Sequence, residues 1–181
     1  CNIGIGLYAL KGATLNTSAA NSNIAFGNCA GCSMTTGDYN IFAGLRAGRY
    51  NSTAASNVFL GTLAGEKVTT GGYNIAIGRA MTSGTVTGTN NIALGEKAGD
   101  SITSGTQNVL LGLCAGENIT DSSHSIFLGK FAGCQANGLS NIAIGFCAGK
   151  NITIGEKNIL IGCNVEVASA SGSCQLVIGH A

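Results

Sequence analysis

Asn91-Ile92-Ala93-Leu94-Gly95-Glu96-Lys97-Ala98-Gly99-Asp100-Ser101-Ile102-Thr103-Ser104-Gly105-Thr106-Gln107 is one copy of a unit that recurs along the whole chain. The counterparts of Gly95 are Gly6, Gly27, Gly44, Gly61, Gly78, Gly112, Gly129, Gly145, Gly162 and Gly179. They follow one another at steps of 17 residues, except for a first step of 21 and a step of 16 between Gly129 and Gly145. A period of this length marks a repeat architecture in which each unit is completed by its neighbours.

With that Gly as position 0, position −4 is Asn (Asn2, Asn23, Asn40 and onward), replaced only by Ser125 and Gln175. Position −3 is Ile, Val or Leu, and position −1 is Ile, Leu, Phe or Ala. Ala is usual at +3 and Gly at +4. A second apolar residue comes near +7 (Met34, Val68, Ile102, Ile119, Ile152), with Thr often after it and Gly near +10. No segment offers the 3.6-residue apolar spacing of a helix. Each unit instead reads as two short extended runs, each closed by a Gly turn. Such runs are too short to fold alone but can pair in parallel with their copies above and below. The expected fold is therefore all-β: a parallel β-solenoid of about eleven 17-residue coils, in one domain over residues 1–181. At ~4.8 Å per coil the rod is roughly 50 Å long.

On this reading the residues at −3 and −1 form an aliphatic ladder inside the coil, and the Asn side chains stack while satisfying turn backbone. Position −2 then points outward. It carries Phe42, Phe59, Ala76, Ala93, Leu110, Phe127, Ala143, Leu160 and Val177, with no polar side chain in any copy. A long apolar stripe on a rod requires a cover, so these residues are expected to form an oligomer interface, with identical rods around a common axis. The charges avoid this column and gather in the turns, as with Arg46, Glu66, Lys97 and Lys157.

Charge and composition narrow the classes. Nine Lys and Arg oppose eight Asp and Glu, and only 9% of residues are charged, so no basic field exists for nucleic acid. The apolar runs are far shorter than the ~20 residues of a membrane helix, so no membrane insertion is expected. No Ser, His and acid, or other nucleophile and base, recur together, and His124 and His180 stand apart; catalysis, cofactors and a zinc site are not expected. The once-per-coil Ile-Gly-x-x-Ala-Gly does not match an acyltransferase hexapeptide, which repeats three times per coil.

Eight cysteines are read either as apolar fillers or as disulfides. Cys29, Cys114 and Cys147 share position +2, and Cys32 and Cys134 share +5. Columns several coils apart cannot be bridged. The pairs considered are Cys29 with Cys32, Cys134 with Cys114 or Cys147, and Cys147 with Cys163, with links between chains also open; at least one bond is expected. Sequons occur at Asn16, Asn51, Asn118 and Asn151. The Thr row at +8, broken at Ser52, Val86 and Asn137, admits an alternative: a solenoid whose Thr and Asn ladder binds ice or another ordered surface.

The unit Asn91-Ile92-Ala93-Leu94-Gly95-Glu96-Lys97-Ala98-Gly99 resembles the head repeats of YadA-like trimeric autotransporter adhesins. It resembles still more the related arrays in phage and large-virus tail fibres. The stretch Ala168-Ser169-Ala170-Ser171-Gly172-Ser173-Cys174-Gln175-Leu176-Val177-Ile178-Gly179 is similar to the segment preceding a C-terminal assembly domain in such fibres. The resemblance covers the whole chain and implies a left-handed β-roll assembled as a homotrimer. It implies a rigid shaft or head for surface attachment on the outside of a cell or virion, with a host-surface glycan or protein as receptor. The chain is accordingly expected to be a piece of a longer fibre protein.

Overall fold

In a computed structural model that describes residues 1–12 and 20–179, the repeat winds into a β-solenoid. Its strands are β1 (Ile3–Ile5), β2 (Ile24–Phe26), β3 (Ile41–Ala43), β4 (Val58–Leu60), β5 (Ile75–Ile77), β6 (Ile92–Leu94), β7 (Val109–Leu111), β8 (Ile126–Leu128), β9 (Ile142–Ile144), β10 (Ile159–Ile161) and β11 (Leu176–Ile178). They make one parallel 11-stranded sheet in sequence order. Each strand pairs with the next at the repeat register, so that Ile75 lies beside Ile92 and Ala76 beside Ala93. No helix occurs among the described residues.

The strand faces are opposite to the sequence expectation. The −2 column is the interior of the single chain: Phe42, Phe59, Ala76, Ala93, Leu110, Phe127, Ala143 and Leu160 are fully buried, and Val177 packs on them from the last coil. Positions −3 and −1 lie outside. Five strands are half-exposed, buried, half-exposed along their three residues, and four more bury the middle residue between partly or fully exposed ones. The nine residues expected to meet another chain therefore do not form that interface; they hold one chain together.

The physical reason lies across the coil. Position −2 faces position +7, and the two share a limited volume. A Cβ added at Gly149 would touch both Ala143 and Ile152, and one at Gly116 both Leu110 and Ile119. Sizes compensate: Ala25 goes with Met34, Phe59 with Val68, Ala93 with Ile102, and Phe127 with Ala136, all buried. Phe42 and Phe59 stack with ring centroids 5.4 Å apart, within the favoured range for aromatic pairs.

The Asn column lies in phase with −2 and is likewise buried. Asn40 shows its role. Its backbone N–H (2.8 Å) and Nδ2 (3.1 Å) both donate to Asn23 Oδ1, while Nδ2 also donates to Ala54 O at 2.9 Å. Each amide thus ties its coil to the preceding one and to the turn opposite. Ser125 is too short to span the coil. There Ser122 Oγ bonds to Ser125 Oγ at 3.1 Å and donates to Gly138 O at 2.9 Å.

In most coils the backbone adopts positive φ at −5, 0, +2 and +4. Position −5 does so without Gly, from Ser22 (58°) through Tyr73 (59°) to Lys157 (57°) and Cys174 (58°). The left-handed region costs roughly 1–2 kcal/mol per non-Gly residue. The N–H of each such corner is bonded one coil back, as in Tyr73 N to Ala55 O at 3.0 Å. At +4, Gly is required for space as well as for φ: a Cβ on Gly48 would lie 2.6 Å from the Phe42 ring.

The second run, at +7 and +8, does not become a strand. A ladder of single hydrogen bonds runs there instead, such as Ser52 N to Thr69 O at 3.0 Å, and Val68 with Val86 is an isolated bridge. Only two residues separate one turn from the next on that side, too few to pair as a strand.

Candidate self-association face

Alternation from an inward −4 and −2 sends −3 and −1 outward on the same side. The outward positions are apolar at nearly every level. Ile41, Ile77, Ile159 and Ile161 are 38–40% exposed, and Leu45, Leu113 and Phe146 at +1 are 38–46% exposed. Neighbours in the parallel ladder cover the flanks of each side chain and leave its tip bare. The result is two adjacent apolar ridges with the spacing of the coils, followed at +1 by a mixed column in which Leu45, Leu113 and Phe146 alternate with Asn28, Thr62, Arg79, Glu96 and Lys130. Charge enters this side only at +1, where Arg79 and Glu96 pair at 3.7 Å and Lys130 lies over the Phe131 ring.

Three further ion pairs lie within the turns. Arg49 pairs with Glu66 at 3.6 Å, Lys97 with Glu117 at 3.0 Å and Lys150 with Glu166 at 3.4 Å. Tyr50 lies between the Arg49 and Lys67 cations. The bond to Glu117 holds the Lys97 ammonium above its ordinary pKa. Among the described residues no group of three or more His, Cys, Asp and Glu could hold a metal ion, and no helix is long and apolar enough to cross a membrane. A hollow of about 340 Å³ beside the shortened eighth coil is lined by Asn118, Gln135, Asn137, Thr153 and Ile154.

The Thr row lies on the opposite side. Its hydroxyls face along the rod and donate to the carbonyls of the next coil, as in Thr35 to Ser52 O (3.1 Å), Thr103 to Thr120 O (3.2 Å) and Thr153 to Ala170 O (3.2 Å). Their protons are thus committed to the chain itself. Of the sequons, Asn51 is buried. Asn151 is engaged with Val167 on both sides of its amide. Asn118 is exposed, and Asn16 lies outside the described residues.

All eight cysteines are free thiols in this structure. Cys29 and Cys32 adjoin within one turn, and Cys147 lies near Cys134. Cys114 is buried; burial and the hydrogen bond with Glu117 push its thiol up to about 11. Cys163 is exposed beside Asn164.

Sequence reasoning found the repeat, the coil-to-coil pairing of the Asn column and the absence of helix. It missed the outward ridges because both strand faces are apolar. The size compensation between −2 and +7 was the signal that could have told them apart. No protein-family profile, curated protein or solved structure matches this chain. The class of protein is therefore defined by the fold itself, a parallel β-solenoid.

Proposed function

We propose that the chain is a structural fibre or adhesin module, in which identical solenoid rods pack side by side through the ridges at −3 and −1. The observation that carries this reading is the row of half-exposed Ile, Leu and Val tips repeating at every coil. An apolar face of this length is unusual for a free monomer. A second copy of the chain has the same coil spacing and offers a groove for every ridge. Parallel copies around one axis put equal levels together. The homotrimer, the attachment role, a glycan or protein receptor, and a place on a cell or virion surface follow from the resemblance of the repeat to fibre and adhesin arrays. Polar groups spread evenly along the rod rather than converging in a cleft, which favours a structural over a catalytic role. The ice-binding alternative loses support from the Thr hydroxyls, whose donors bond to the next coil.

Light scattering on the chain tests the proposal. An assembly of three 18.0 kDa chains is expected. Ile77→Asp with Ile161→Asp should give a monomer that keeps its β-sheet circular dichroism, because both side chains reach water in the single rod. A folded monomer of the unmodified chain would overturn the reading.

A further inference from the structure

We propose that Cys29 and Cys32 form a dithiol site that exchanges with low-molecular-weight disulfides and closes reversibly to a disulfide within one outer turn of the solenoid. Cys29-Ala30-Gly31-Cys32 is a tight turn in which Cys32 N donates to Cys29 O at 3.4 Å and Gly31 has φ of 60°. Positive φ at the third residue is the requirement of a type II turn, whose end Cα atoms lie within ~7 Å. A disulfide spans Cα atoms ~4.4–6.8 Å apart. The two thiols neighbour each other, and both are part-exposed. Closure therefore needs side-chain rotation, not a change of coil.

The turn is anchored on both sides, by Cys29 N to Leu7 O at 2.8 Å and Ser33 N to Arg49 O at 3.1 Å. Around Cys32, burial and the Cys29 thiol push the pKa up, while the Arg49 guanidinium and the Ser33 hydroxyl pull it down. A thiolate at Cys29 attacks one sulfur of the small disulfide, forming a mixed disulfide and expelling one small thiolate. Cys32 loses its proton and attacks the Cys29 sulfur, expelling the second small thiolate. Two protein thiols are oxidised, and one small disulfide is reduced to two thiols.

The test is equilibration of the intact chain with oxidised and reduced glutathione, followed by acid quench, alkylation and peptide mapping. The readout is thiol state and does not depend on whether the rods self-associate. The peptide holding both cysteines should close by loss of two hydrogens, with an equilibrium constant roughly tenfold above that of the urea-unfolded chain. Cys32→Ser should stop at a single glutathione adduct on Cys29. A constant at or below the unfolded value, or pairing of either residue with another cysteine, would overturn the proposal. Should Cys32→Ser fail to fold, the mapping of the unmodified chain decides alone.

Discussion

Asn51→Val should stabilise the rod. Asn51 occupies position +7, between Met34 and Val68 in the neighbouring coils, and is fully buried. Its backbone N–H donates to Gly48 O at 3.0 Å, but neither Nδ2 nor Oδ1 of its side chain has a partner. A buried amide without hydrogen bonds costs about 1–3 kcal/mol in folded proteins. Phe42 across the coil explains why a short side chain stands there. Valine is nevertheless accommodated one coil on, where Phe59 faces Val68 and both are fully buried. The substitution should therefore gain about 1–3 kcal/mol, or roughly 3–10 °C in the unfolding midpoint for a chain of this length. Circular dichroism melts give the midpoint, and hydrogen exchange at Asn51 and Ser52 locates the gain in the third coil. Asn51→Ala is the control: it removes the unpaired amide but leaves a void, so its gain should be smaller. A loss of about 1 kcal/mol or more on Asn51→Val would refute the reasoning, because it would mean that the carboxamide is bonded in solution.

Gly95→Ala should destabilise its two coils by about 1–3 kcal/mol from backbone strain alone, since Gly95 has φ of 129° and an added Cβ would lie 2.7 Å from Gly112 O; denaturant melts measure it, and a neutral result would remove the steric account of the Gly register. Cys114 should resist iodoacetamide at pH 8 while exposed Cys163 reacts, because burial and Glu117 raise the Cys114 thiol to about 11. The sign follows: a raised thiol pKa favours the neutral form in the fold, so the associated stability is present below the ordinary thiol value and is lost as pH rises towards 11. Equal alkylation rates for the two residues at pH 8 would count against a buried Cys114.

The period and the type of structure were legible because each coil repeats its hydrogen-bonding problem. An Asn at −4 every 17 residues is the trace of a ladder in which each amide bonds the preceding amide and the opposite turn. Positive φ was only partly legible. Glycine marks it at 0 and +4, whereas Tyr39, Tyr73, Gln107 and Lys157 adopt it at −5; their tertiary hydrogen bonds override a local preference that leaves no mark in residue type. The core face was misread for a different reason. Both sides of the strand are apolar, so hydrophobicity carries no sign. What differs is variance. The outward columns at −3 and −1 are mostly Ile, Leu and Val. The inward column ranges from Ala to Phe, and its partner at +7 ranges the other way, because a closed interior conserves volume while an outer ridge need only stay apolar.

That distinction yields a test at Ala93 and Ile102, a small-large pair in one coil, both fully buried. Ile102→Ala empties the space opposite Ala93 and should cost about 2–5 kcal/mol. Ala93→Phe alone overfills the same space and should cost about 1–3 kcal/mol or more. The double variant reproduces the arrangement of Phe127 with Ala136, which the eighth coil packs with both side chains fully buried. If −2 and +7 share one volume, the two losses must not add, and the double-mutant cycle should return a favourable coupling of at least about 1 kcal/mol. Equilibrium denaturation of the four proteins supplies the cycle. Additive losses would mean that the two columns are independent, and the inward assignment of Ala93 would fall with them. A position facing away from the coil has no +7 partner to compensate, so the sign of the coupling distinguishes an interior column from an outer ridge.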